Sequence, residues 1–70
     1  MPETIAITAN GKTFHPDKGT LLPDFLADLG FAPNRVVVER NNTALTPGEA
    51  RITRLEEGDR LEVVRIVAGG

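Results

Sequence analysis

The chain has 70 residues, with six Arg and two Lys against ten Asp and Glu, no Cys, and a formal charge of −2. This length is one domain near the lower limit for folding without crosslinks. The acidic balance argues against a nucleic-acid footprint, and the missing Cys excludes disulfides, thiolate metal sites and a thiol nucleophile. No apolar run approaches the roughly 20 residues of a membrane span, and Met1-Pro2-Glu3-Thr4 lacks a signal-peptide pattern, so a soluble cytoplasmic protein is expected.

From Thr4 to Ala9 the residues alternate, Ile5 and Ile7 on one face and Thr4, Ala6 and Thr8 on the other, which predicts a half-buried strand. Asn10-Gly11 follows, the pair best suited to the positive φ values of a type I′ hairpin turn. Lys12 to Phe14 is the return strand, and the turn formers His15-Pro16-Asp17-Lys18-Gly19 end it. The period then changes. Leu22, Phe25, Leu26 and Leu29 fall at i, i+3, i+4 and i+7, placing four large apolar groups on one helical face with Asp24 and Asp28 toward solvent. Thr20, or the backbone after it, caps the start, Pro23 is tolerated in the first turn, and Gly30 supplies the left-handed residue that closes a helix. Phe31 to Asn34 turns the chain, with Phe31 folding back on the helix end.

Val36-Val37-Val38 is a β-branched run that predicts a central strand, and Asn41-Asn42 is a second hairpin turn. Leu45 and its neighbours suggest a short strand ended by Thr46-Pro47-Gly48. Glu49 to Leu55 has no clear period; irregular chain or one helical turn is expected there, with Ile52 and Leu55 plugging the core. Glu57-Gly58-Asp59 turns into a last strand from Arg60 to Val67. The sum is a two-layer α+β arrangement, a mixed sheet of four to five strands with one main helix across one face. The last strand is expected in the middle, paired with the first.

Residues 1–67 then form one domain, and Ala68-Gly69-Gly70 a flexible tail. Gly-Gly lacks Cβ atoms and can thread a slot too narrow for side chains, and three residues reach roughly 10 Å when extended. Along the last strand Leu61 and Val63 face the helix. Val64 and Ile66 have the opposite parity, so with Val37 they form an apolar patch on the open face leading to the tail, the mark of a partner surface. The alternative is a bulge that shifts parity and makes Val64 and Ile66 ordinary core.

Catalytic and metal sites are not apparent. His15 is the lone histidine and lies in a turn. Glu56, Glu57 and Asp59 flank a turn without metal-ligand spacing. The chain has no Ser for a nucleophilic triad. Gly11-Lys12-Thr13 lacks the upstream glycine of a phosphate loop and sits in a hairpin. Chemistry, if any, runs through the C-terminus, with the protein as substrate or carrier rather than enzyme.

The order of elements and the ending resemble the ubiquitin-like β-grasp fold, and more narrowly the ThiS family of sulfur carriers in thiamine biosynthesis. The residues that carry the resemblance are Asn10-Gly11-Lys12, the helix segment from Leu22 to Gly30, the strand and turn from Val36 to Asn41, the run from Gly58 to Val64, and Ala68-Gly69-Gly70; together they span nearly the whole chain. The sequence departs from the family in three places. Leu21 stands where a capping Ser or Thr is usual, Asn41-Asn42-Thr43-Ala44 looks longer than the usual Asn-Gly turn, and Gly48 and Arg51 lie where Arg and an aromatic are common.

The resemblance implies that an E1-like adenylating enzyme uses ATP to activate the Gly70 carboxylate. A persulfide donor enzyme then supplies sulfur, and the resulting thiocarboxylate is offered to thiazole synthase. It implies no bound cofactor on this chain. Gly69 and Ala68 would give the tail access, and Val64, Ile66 and Val37 would dock the body. Alternatives are a carrier feeding molybdopterin, tRNA thiolation or cysteine synthesis, a ubiquitin-like protein modifier, or an interaction module with an inert tail.

Overall fold

The computed structural model describes residues 3–67, so the expectations for Ala68, Gly69 and Gly70 lie outside the described residues. Strand β1 (Ile7–Ala9) turns at Asn10-Gly11 into β2 (Lys12–Phe14), helix α1 (Leu22–Asp28) crosses over, and a 3-10 turn (Pro33–Arg35) leads into β3 (Val36–Arg40). Then come β4 (Thr43–Ala44), α2 (Pro47–Ile52) and β5 (Arg60–Arg65). The sheet order is β2-β1-β5-β3-β4, with β1 and β5 parallel and the other neighbours antiparallel. The last strand is thus central and paired with the first, as expected. Two of the predicted strands are shorter in the ladder. Thr4 contributes an isolated bridge to Asp17 rather than the start of β1, and β5 ends at Arg65.

Both hairpins close through two-residue turns whose residues all have positive φ, Asn10 and Gly11 at 50° and 80°, Asn41 and Asn42 at 51° and 72°. These values match the right-handed twist of the strands they join. Arg40 pairs with Thr43 directly, so the second turn is no longer than an Asn-Gly turn; Thr43 and Ala44 belong to β4. Asn42 takes the glycine position because Asn tolerates the left-handed region better than other side chains. Leu45, expected within the short strand, follows it and donates its N–H to the Val38 carbonyl.

Helix α1 buries Leu22, Phe25 and Leu26 and half-buries Leu29, the four residues of the predicted face. Its start differs from expectation. The N-cap is Leu21, which makes no side-chain cap, and the Thr20 hydroxyl instead donates to the Asp17 carbonyl at 2.6 Å. The orphan Leu22 N–H is satisfied from elsewhere, by the Thr53 carbonyl at 2.8 Å. Gly30 ends the helix with φ of 90°. Its N–H donates to Ala27 and that of Phe31 to Leu26, so two terminal carbonyls are capped as Phe31 folds back against the core.

The segment after Pro47 is helical, a possibility left open by its lack of period. Thr46 and Glu49 form a capping box, the Glu49 N–H donating to Thr46 Oγ1 at 3.1 Å and the Thr46 N–H to Glu49 Oε1 at 2.8 Å. The core expectation here is half right. Leu55 is buried, but Ile52 is 77% exposed because this short helix turns Ala50 inward instead. The core is completed by Ile5, Ile7, Ala9, Val38, Leu61 and Val63, with Phe14 edge-on to Phe25 at 5.5 Å.

A candidate docking face and the strand that leads to the terminus

Strand β5 is anchored at its start by Asp59, a carboxylate residue only 4% exposed. Asp59 Oδ2 accepts from Arg40 Nε and from the Glu56 N–H, at 3.1 and 2.9 Å, while Oδ1 accepts from Asn41 Nδ2 at 3.2 Å. Its carbonyl takes the Thr8 N–H at 2.9 Å. One side chain therefore ties the second hairpin to the loop before β5, and a buried charge needs this degree of hydrogen bonding to be tolerated.

Farther along, the ladder to β1 stops at Ala9 paired with Leu61. The Asn10 carboxamide then acts as one further rung. Its Oδ1 accepts from the Val63 N–H at 2.8 Å and its Nδ2 donates to the Val63 carbonyl at 3.1 Å. On the other side β3 accompanies β5 past its last residue, the Ile66 N–H donating to the Arg35 carbonyl at 2.9 Å. Sequence reading missed both Asp59 and the second task of Asn10. Each depends on pairing across about twenty to fifty residues, for which local spacing carries no signal.

The three expected surface residues come together. Val37 pairs directly with Val64 in the β3–β5 register, and Ile66 follows two residues beyond Val64, where its N–H bond to the Arg35 carbonyl continues the same alternation. Their exposures are 48%, 63% and 55%, and Val67, next in the chain, is also exposed. The register runs without interruption from Val36–Arg65 to Arg40–Leu61, so the bulge that would have buried Val64 and Ile66 is not there. The next cross-strand pair on this face is Glu39 opposite Glu62, and neither makes an ion pair among the described residues. On the helix side, the Arg65 guanidinium lies 4.6 Å over the Phe31 ring.

The acidic residues and the Gly-Lys-Thr string set aside as non-catalytic have structural roles. Glu57 Oε1 accepts the Ala6 N–H, Glu56 pairs with Arg40, and Gly11-Lys12-Thr13 is the turn and edge strand of the first hairpin. Among the described residues no group of three or more His, Asp or Glu is gathered to hold a metal, and no helix is long and apolar enough to cross a membrane.

A mixed five-stranded sheet crossed by one main helix, with the last strand central between two hairpins, is the architecture of ubiquitin-like β-grasp proteins. A solution structure of a protein designed on the template of human erythrocytic ubiquitin shares this fold, with a TM-score of 0.53 and 24% identity over 97% of this chain and 96% of that one. The ThiS family model matches residues 3–70, and the chain belongs to the ThiS family. The crystal structure of the thiamine biosynthesis protein ThiS from Geobacter metallireducens superposes with a TM-score of 0.76, at 28% identity, covering 94% of this chain and all of that one. In sequence, 64 residues are 41% identical to a thiazole synthase of Magnetococcus marinus, covering 91% of this chain. The chain spans a fifth of the length of that relative. The protein ycf40 of Pyropia yezoensis, itself uncharacterized, is 39% identical over 66 residues, 94% of this chain and 93% of its own.

Proposed function

We propose that this protein is a sulfur carrier for thiazole formation in thiamine biosynthesis, and that Gly70 carries the sulfur. The observation that carries the reading is that the ThiS family match runs through residue 70 and so includes Ala68-Gly69-Gly70. A carboxylate is a poor electrophile. Attack of the Gly70 carboxylate on the α-phosphorus of ATP, on an adenylating partner, expels pyrophosphate and gives an acyl adenylate. The terminal sulfur of a partner's persulfide then attacks the acyl carbon, and AMP leaves. A second thiol cleaves the resulting acyl disulfide, taking one sulfur into a new disulfide and leaving the thiocarboxylate on Gly70. With no Cys in the chain, no internal thiol competes for the activated carbonyl.

The chain's own part is to present the terminus and to be gripped. Strand β5 is held from both sides as far as Val63 and from the β3 side on to Ile66, and Val37, Val64 and Ile66 offer an apolar face for the partner's body. Thiazole synthase is favoured as acceptor over a molybdopterin, tRNA or cysteine pathway because a thiazole synthase contains the segment that matches this chain. The test is the intact mass after incubation with ATP, the adenylating enzyme and a persulfide source. The expected gain is one oxygen replaced by one sulfur, lost again when thiazole synthase and its other substrates are added. A chain that stays unmodified where a known carrier is converted overturns the proposal.

A further inference from the structure

Strand β5 has neighbours on both sides only as far as Val63. The Asn41 N–H donates to the Arg60 carbonyl at 2.8 Å and the Ile66 N–H to the Arg35 carbonyl at 2.9 Å, which brackets the β3 ladder. With residues 36 to 40 paired against 65 to 61 between those bonds, the backbone groups of 60, 62, 64 and 66 turn toward β3. Those of Leu61, Val63 and Arg65 turn the other way. The Leu61 carbonyl is taken by the Asn10 N–H at 3.0 Å, and both groups of Val63 by the Asn10 side chain. There the first hairpin turns away. The Arg65 N–H and carbonyl have no hydrogen-bond partner among the described residues.

We propose that this free edge of β5, at Arg65, receives an extended segment of the adenylating partner as an added strand, seated beside the Asn10-Gly11 turn. The inference rests on the carrier reading above and names how the partner holds the chain. A strand with one side paired and the other bare is a template for a second strand. The bond from Ile66 to Arg35 keeps this one extended without the partner, so little ordering is needed on binding. The side chains leave the edge clear, since Val64 and Ile66 stand on the open face and Arg65 is drawn over Phe31. After Val67 three residues remain in this sequence, a reach of roughly 10 Å. A protein that acts on Gly70 therefore works within about that reach of Val67, a distance that includes this edge.

The test uses proline as a donor deletion. Arg65→Pro removes the N–H at a position where the free protein makes no bond with it, and an extended strand accepts proline at such an edge. Arg65→Ala removes the side chain and keeps the N–H. In calorimetric titration with the adenylating enzyme, Arg65→Pro is expected to bind at least tenfold more weakly than Arg65→Ala, with both variants folded. In the wild-type complex, hydrogen exchange at the Arg65 amide is expected to slow at least tenfold, while Ile66 is already protected in the free chain. A wild-type chain that is converted to thiocarboxylate, with the two variants binding alike or the Arg65 amide exchanging at its free rate, overturns the added strand alone. A wild-type chain that is never adenylated overturns the carrier reading and this inference with it.

Discussion

The carboxamide of Asn10 hydrogen-bonds both the N–H and the carbonyl of Val63, residues 53 apart in sequence. An amide side chain carries one acceptor and two donors and so can stand in for a peptide unit. Here it extends the parallel ladder by one rung after β1 has run out. Asn10 thus serves the hairpin with its backbone, at φ of 50°, and β5 with its side chain.

The two roles separate in Asn10→Gly, which keeps the turn and deletes the rung. Two net hydrogen bonds are lost, so the chain is expected to lose about 1–2 kcal/mol of stability. Urea unfolding measures this, and faster exchange of the Val63 amide with Leu61 unchanged would locate the loss.

Asp59→Ala is expected to cost more. It leaves Arg40, Asn41 and the Glu56 N–H without their common acceptor, and breaking a largely buried ion pair costs about 3 kcal/mol. For a chain of this size that is a large share of the total. Thermal unfolding reports it, and a midpoint within a few degrees of wild type would refute the account of Asp59 as the anchor of β5.

Ile52 and Leu55 make a matched pair. Leu55→Ala opens a cavity in the core and is expected to destabilise by about 2–4 kcal/mol. Ile52→Ala changes an exposed side chain and is expected to stay within about 0.5 kcal/mol of wild type. Equal losses for the two in denaturant titration would contradict the observed packing of α2.

Glu39 faces Glu62 across the β3–β5 pair. Like charges directly opposite oppose pairing, so Glu39→Lys is expected to stabilise the free protein by about 0.5 kcal/mol at low salt. The gain should shrink as ionic strength rises and the charges are screened. A salt-independent change would point to packing rather than charge.

Gly69→Val is expected to leave the fold intact and to stop adenylation, because a β-branched side chain cannot follow a glycine through a narrow channel. Pyrophosphate release with the adenylating enzyme measures it. Normal release from the variant would remove the narrow-slot argument.

Much of this architecture was legible because it is periodic. Leu22, Phe25 and Leu26 declared the helix face, and the parity of Leu61 and Val63 against Val64 and Ile66 separated core from surface. What escaped was of two kinds. The capping box of Thr46 and Glu49, with Pro47 between them, was a local signal that the absence of an apolar period obscured. The Asn10 rung and the Asp59 anchor have no local signal, because a polar side chain beside a turn looks the same whether it meets solvent or a strand far along the chain. The cap of α1 failed for a related reason, since the Leu22 N–H found the Thr53 carbonyl rather than a neighbour.

The central place of β5 also ties folding to the condition of the chain. The two hairpins do not touch in the sheet; each has β5 as its neighbour. Neither can enter the sheet until residues 60–65 arrive from far along the chain, a non-local closure that comes late and all at once. The folded body and the anchored final strand are therefore expected to form together, in a single transition by denaturant titration. A chain clipped before Arg60 would have no body to grip. A partner that recognised the sheet would thereby engage only chains whose strand toward the terminus is already in position.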